Sequence, residues 1–164
     1  MGRALEQRLA TRRFEGPHHE AVLNVMLAAN HLRERTDDLF TGAGVTAAQY
    51  NVLRILNGRH PEGYSRGEIA RRVLDHAPDL TRMLDRLVRA GLVQRARSSD
   101  DARRSLARIT PKGRALLAQL HGRVRAQHKA VEARLSTREA RELSRLCEKL
   151  WQPDRARRRA GETR

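Results

Sequence analysis

The stretch Asp79-Leu80-Thr81-Arg82-Met83-Leu84-Asp85-Arg86-Leu87-Val88-Arg89-Ala90-Gly91-Leu92-Val93 decides the fold. On a helical wheel its first three leucines and Val88 fall within a sector of about 100°, opposite Arg82, Arg86 and Arg89. The pattern predicts a helix over 78–90 with a core face and a cationic face, closed by a C-cap glycine at Gly91. An ordinary surface helix with solvated arginines gives the same wheel. The neighbouring segments are therefore needed to distinguish such a helix from one that binds a partner.

The segments on either side favour a DNA-reading helix. Upstream, Ser65-Arg66-Gly67-Glu68 is a capping box that begins a short helix over 68–73. Two short helices joined by about four residues are typical of a helix-turn-helix. Downstream, 92–97 and 104–109 are extended candidates around the polar turn 98–101, which predicts a β-hairpin, or wing.

Longer helices are predicted on both sides of this winged unit. A capping box at Thr46-Ala47-Ala48-Gln49 begins a helix over 49–56, and an apolar stripe at helical spacing runs through 19–40. Thr110-Pro111 and Ser136-Thr137-Arg138-Glu139 begin two further helices, to about residue 135 and to Trp151. A winged unit of roughly 70 residues is too small to cover these stripes, so we expect a second copy to do so.

The predicted fold is mainly α with a small β-hairpin, a winged helix-turn-helix domain between N- and C-terminal dimerisation helices. Residues 153–164 are basic, lack apolar periodicity and are expected to be disordered. The predicted organisation is an N-terminal extension over 1–17, a first dimerisation helix over 18–45, the winged domain over 46–113, C-terminal dimerisation helices over 114–152 and the basic tail.

The charge indicates a polyanionic partner. Against 19 acids stand 34 lysines and arginines, a net charge of +15, and only three of the 34 are lysines. Guanidinium groups favour bidentate contacts with phosphates and guanine edges. From Arg95 to Arg114 there are seven basic residues against two acids. An arginine-rich proteome would also produce a basic protein of unrelated purpose. Five aromatic residues are too few for single-strand stacking, so we expect duplex DNA.

Several other classes are not expected. The sequence contains no apolar run of membrane-spanning length, and its first 16 residues lack the apolar core of a secretory signal, so we expect the cytoplasm and no membrane partner. Seven histidines form no metal-ligand set, and no nucleophile or acid–base constellation or phosphate loop appears. We therefore expect no metal, no cofactor and no enzyme. Cys147, beside Leu146 and Leu150, is interpreted as a packing residue.

From Thr46 through Gly113 the sequence resembles the MarR (multiple antibiotic resistance regulator) family of winged-helix transcription factors. The stretches that carry the resemblance are 46–56, 79–93, Asp101-Ala102-Arg103 and Ile109-Thr110-Pro111-Lys112-Gly113. The family's wing usually reads Asp-Arg-Arg followed by Leu-Thr-Pro-x-Gly. This chain has Ala102 for the middle arginine and Ile109 for the leucine.

The resemblance implies a homodimer that binds a pseudo-palindromic operator, with reader helices about one turn (34–36 Å) apart. Thr81 and Arg82 would meet base edges or nearby phosphates. Asp101 is expected to orient Arg103, although an ordinary acidic turn residue is the alternative. The predicted DNA contacts come from the two helices and the wing: Ser65, Arg66, Asp79, Thr81, Arg82, Arg86, Arg95, Arg97, Arg103 and Arg104.

Most members of the family repress promoters and are released by a small, often phenolic, ligand bound between the dimer helices and the winged domain. Polar residues on elements that would border such a pocket are His31, Arg35, Tyr50 and Arg54, and these also suit satisfied structural groups. The leading hypothesis is therefore an effector-responsive repressor. The alternative is an architectural or nonspecific DNA-binding protein, to which the arginine-rich tail would add phosphate contacts.

Overall fold

The computed structural model describes residues 3–10, 14–74, 79–97 and 105–152, and this part of the chain forms seven α-helices and three short strands. The predicted order of long helix, short helix, helix pair, wing and two final helices is confirmed, and so is the mainly helical class with a small sheet. In chain order the elements are α1 (Arg3–Leu9), α2 (Pro17–Phe40), α3 (Ala47–Asn57), β1 (Tyr64–Ser65), α4 (Arg66–Ala70), α5 (Leu80–Arg89), β2 (Val93–Arg97), β3 (Ser105–Ile109), α6 (Pro111–Glu132) and α7 (Thr137–Trp151).

The chain divides into two compact units, and the division falls within α6, after His121. The first unit has an apolar core to which α3, α4, α5 and the start of α6 contribute. Its most deeply buried side chains are Val52, Leu53, Leu56, Ile69, Leu84, Leu87 and Leu120. In the second unit, α7 has no buried residue. That helix instead exposes Leu143, Leu146, Leu150 and Trp151.

The sheet has three antiparallel strands in the order β1-β3-β2. The predicted hairpin is its β2-β3 half, in which Val93 pairs with Ile109. The hairpin prediction missed β1, since a strand of two residues is too short to show an alternating pattern. Gly63, with φ of +82°, leads into β1, and a Cβ there would lie 2.4 Å from the carbonyl oxygen of Ala107. Only glycine permits this approach of the chain to β3.

Local hydrogen bonds begin the helices where the sequence predicts. The capping boxes at Thr46, Ser65 and Ser136 all form, each with reciprocal side-chain and backbone bonds. Several predicted helix bounds are wrong. Helix α3 spans Ala47–Asn57 rather than 49–56, and α6 ends at Glu132 rather than at about residue 135. Helix α4 ends at Ala70 rather than continuing to residue 73. Helix α5 begins at Leu80, because the side chain of its N-cap residue accepts the backbone hydrogen bond that starts the helix.

Candidate nucleic-acid interface

The reader helix α5 has the two faces that the wheel predicts. Leu80, Leu84 and Leu87 are buried, with at most 6% of each exposed. The opposite face is at the surface, and its members are Thr81, Arg82, Asp85, Arg86 and Arg89. Burial of the leucines fixes the orientation of the helix, so the polar face is held outward.

At the start of α5, the side chain of Asp79 has two structural partners. Its Oδ1 accepts the backbone N–H of Arg82 at 3.1 Å, and its Oδ2 lies 3.0 Å from Nε of the same arginine. The Arg82 side chain is still 79% exposed. Asp79, predicted among the DNA contacts, therefore caps the helix and orients Arg82, whose remaining guanidinium donors face solvent.

At the start of α4, Ser65 is held in a polar network and Arg66 is exposed. The Glu68 carboxylate accepts from the backbone N–H and the hydroxyl of Ser65 at 2.9 and 2.7 Å, and from Nη1 of Arg59 at 3.3 Å. The hydroxyl of Ser65 already donates its one hydrogen to Glu68, so its predicted contact with a DNA phosphate would require that hydrogen bond to be exchanged.

A stack of three side chains stands beside this network. The guanidinium carbons of Arg59 and Arg72 lie 5.1 and 4.5 Å from the centre of the Tyr64 ring. Both distances fall within the range of cation–π attraction. No sequence pattern predicts this group, because residues 59 and 72 lie in turns, residue 64 lies on a strand, and the three share no periodicity.

The base of the wing is joined to the reader helix by an ion pair. Nη2 of Arg95, on β2, lies 2.8 Å from Oδ1 of Asp85, on α5. Arg95 is among the DNA contacts predicted from the sequence, whereas Asp85 has no predicted role. Arg97 is exposed near the end of β2. Three further predicted wing residues, Asp101, Arg103 and Arg104, lie outside the described residues.

The end of the reader helix is held by the start of α6. Three consecutive carbonyl groups accept hydrogen bonds: Ala90 from Nζ of Lys112 at 2.9 Å, Gly91 from Oγ1 of Thr110 at 2.7 Å, and Leu92 from the backbone N–H of Thr110 at 3.1 Å. The Thr-Pro-Lys-Gly stretch that carries part of the family resemblance therefore locks the C-terminal end of α5.

A cavity of about 450 Å³ lies between α2, α3 and the approach to α5. Its apolar lining includes Leu32 and Leu74, and Met83 comes from the reader helix itself. The polar part of the lining is contributed by Arg33, Thr36, Asp37, Thr46 and Asn51.

The four predicted pocket residues are not among the residues that line this cavity. His31 and Arg35 are exposed on α2. Tyr50 is half-buried, with its ring centre 4.7 Å from that of Phe40. Arg54 lines a second cavity, together with Asn57, Arg114, His121 and neighbouring residues of α6.

Within residues 3–10, 14–74, 79–97 and 105–152, no cluster of three or more His, Cys, Asp or Glu side chains could hold a metal ion. Over the same residues, no helix is long and apolar enough to cross a membrane. Cys147 on α7 is partly buried and has a free thiol.

Comparison with known proteins identifies the family and its fold. The MarR family model matches residues 45–105. The HTH-type transcriptional repressor Rv2887 of Mycobacterium tuberculosis is 33% identical over 119 residues, which are 73% of this chain and 84% of that protein. The crystal structure of a MarR transcription factor from Planctomyces limnophilus has 36% identity and a TM-score of 0.63, over 83% of this chain and 98% of the other.

A second solved structure contains DNA. A mutant of MarR from E. coli, complexed with operator DNA, has 26% identity and a TM-score of 0.69, over 78% of this chain and 91% of the other. The predicted winged helix-turn-helix is thereby confirmed. The reader helix α5, strand β2 and the start of α6 described above are parts of it. This chain belongs to the MarR family of DNA-binding transcriptional regulators, which are not enzymes.

Proposed function

We propose that this protein is a homodimeric repressor that binds a pseudo-palindromic operator in the cytoplasm and is released by a small-molecule effector. The observation that carries the proposal is the reader helix, whose arginine face is exposed while its leucine face is buried. The same function is supported by a relative that is an HTH-type transcriptional repressor and by a similar structure complexed with operator DNA.

Base recognition is assigned to the exposed face of α5. Arg82 keeps guanidinium donors free beyond its contact with Asp79, and Thr81 and Arg86 are exposed beside it. In the major groove an arginine fork pairs with guanine O6 and N7. We assign phosphate contacts to Arg66 and Arg97, which are exposed, and we assign Arg103 and Arg104 to the wing on sequence grounds alone.

The test begins with a binding-site map of the purified protein on genomic DNA, which yields an operator fragment. Arg82→Ala should then cost about 1–3 kcal/mol on the operator and flatten the preference between bases at one position of each half-site. Arg157→Ala, in the basic tail, serves as a matched loss of charge and should weaken all sites alike or have no effect. An unchanged base preference in the Arg82 variant would refute the assignment.

The dimer is proposed from apolar side chains that the single chain leaves uncovered. Helix α2 exposes Val22, Val25, Met26 and Leu32, and α7 exposes Leu143, Leu146, Leu150 and Trp151. Exposed apolar stripes of this kind mark contact surfaces. Light scattering should give twice the chain mass of 18.7 kDa. Leu146→Arg should yield monomers, while Arg141→Ala, on the opposite side of α7, should leave the dimer intact. A monomeric wild-type protein would refute the dimer.

The effector is assigned to the cavity of about 450 Å³, a volume within the range of small-molecule sites. Because Met83 of the reader helix forms part of the wall, a ligand in the cavity would contact the DNA-reading helix directly. Salicylate, as a phenolic probe, should weaken operator binding. Ala29→Phe, which places a ring in the cavity, should abolish that response without abolishing DNA binding. If the response survives in the variant, the cavity is not the effector site.

A further inference from the structure

An acidic side chain stands on the cationic face of the reader helix. Asp85 is exposed there and is flanked along α5 by Arg82, Arg86 and Arg89. A carboxylate on a surface that meets DNA is repelled by phosphates, so it weakens association unless a cation neutralises it. The Arg95 guanidinium does so here, with Nη2 at 2.8 Å from Oδ1 of Asp85.

The same contact ties the wing to the helix. Arg95 is the third residue of β2 and pairs with the buried Ala107 of β3. Because side chains alternate along a strand, Val93, Arg95 and Arg97 lie on one face of β2. Val93 is buried and Arg97 is exposed, so Arg95 lies between the core end and the outer end of that face. Fixing Arg95 to Asp85 therefore fixes where Arg97 stands relative to the reader helix.

We infer that Asp85 and Arg95 form a positioning pair that sets the wing against the reader helix, and that Arg95 acts through Asp85 rather than as a phosphate contact. The inference rests on the DNA-reading part of the proposed function. The competing interpretation is that Arg95 contacts phosphate directly and its contact with Asp85 is incidental.

The two interpretations predict opposite effects of Asp85→Asn. If Arg95 contacts phosphate, removing the acid frees the guanidinium and takes a negative charge off the DNA-facing surface, so operator affinity rises. If the pair positions the wing, operator affinity falls by about five- to tenfold, in spite of the more positive surface. The Arg95→Gln variant should lose operator affinity by a similar factor. The double variant should lose no more affinity than either single variant.

Three controls separate positioning from simple stability. Asp85→Glu keeps the carboxylate and should retain most of the operator affinity. The exposed pair Glu142 and Arg145 on α7 is a matched ion pair, and its Gln variants should change affinity less than about twofold. Thermal unfolding should report nearly equal stability for all these variants, since exposed ion pairs contribute little.

The double-mutant cycle is run on the operator fragment and on random duplex at one salt concentration. The pair is supported if the losses of binding free energy in the two single variants do not add up in the double variant. An Asp85→Asn variant that binds the operator as tightly as wild type or more tightly, or losses that multiply, would overturn it. If wild type binds both duplexes equally, the proposed operator specificity fails. The coupling between positions 85 and 95 in that common affinity for DNA would still decide whether the pair positions the wing.

Discussion

Gly113, the third residue of α6, is a position where one added methyl group should be strongly destabilising. It is buried, and a Cβ there would lie 2.4 Å from the carbonyl oxygen of Leu92 and 2.8 Å from Cγ1 of Ile109. Overpacking costs about 1–3 kcal/mol, and the upper end applies because one contact is with backbone. The higher helix propensity of alanine offsets about 1 kcal/mol of this loss of stability. Gly113→Ala should therefore lose about 2 kcal/mol.

The loss should appear as a lower melting temperature and weaker operator binding. For a chain of this size, about 2 kcal/mol corresponds to a drop of about 4–8 °C, measured by circular dichroism. Leu92 joins the reader helix to β2, so a displaced Leu92 should also reduce operator affinity. Gly67→Ala, on α4 with open space around the added Cβ, is the matched control and should melt no lower than wild type. If Gly113→Ala melts at or above wild type, the close packing of α6 against the end of the reader helix is refuted.

Three further changes test individual contacts. Lys112→Met removes the ammonium group that caps the last turn of α5, and should lower stability to urea by about 0.5–1 kcal/mol; an unchanged midpoint would contradict this. Tyr64→Leu removes two cation–π contacts and should cost about 1–2 kcal/mol in the same assay, whereas Tyr64→Phe, which keeps the ring, should cost less. Hydrogen bonds from Ser136 lower the pKa of Glu139 below its ordinary 4.5, so the stability they give is present above pH 4.5 and lost as pH falls through the lowered value. Ser136→Ala should flatten that acid loss in a pH series of unfolding curves, and an equal acid loss in both proteins would contradict the assignment.

Features that depend on neighbours along the chain could be predicted from the sequence. A capping box joins a residue to the one three positions later, and the three boxes at Thr46, Ser65 and Ser136 all form. The two faces of α5 follow from the helical period alone. The order of helices and wing around them followed from helix-start signals, apolar periodicity and the polar turn between two extended segments.

Features that depend on contacts between elements could not be predicted in this way. Asp85 and Arg95 are ten residues apart on a helix and a strand, and only the packing of β2 on α5 brings them to 2.8 Å. Strand β1 forms because β3 offers it an edge, not because two residues favour strand. The cavity wall likewise combines α2, α3 and Met83, and no single stretch of sequence encodes that combination.

Sequence-specific DNA binding is tested most directly by the ratio of two affinities at one fixed salt concentration, for the operator fragment and for random duplex of equal length. A regulator that reads bases through α5 should prefer the operator by about 10³-fold or more. A ratio near one, with both affinities falling equally as salt is raised, would contradict base reading and indicate a protein that binds DNA only through its phosphates.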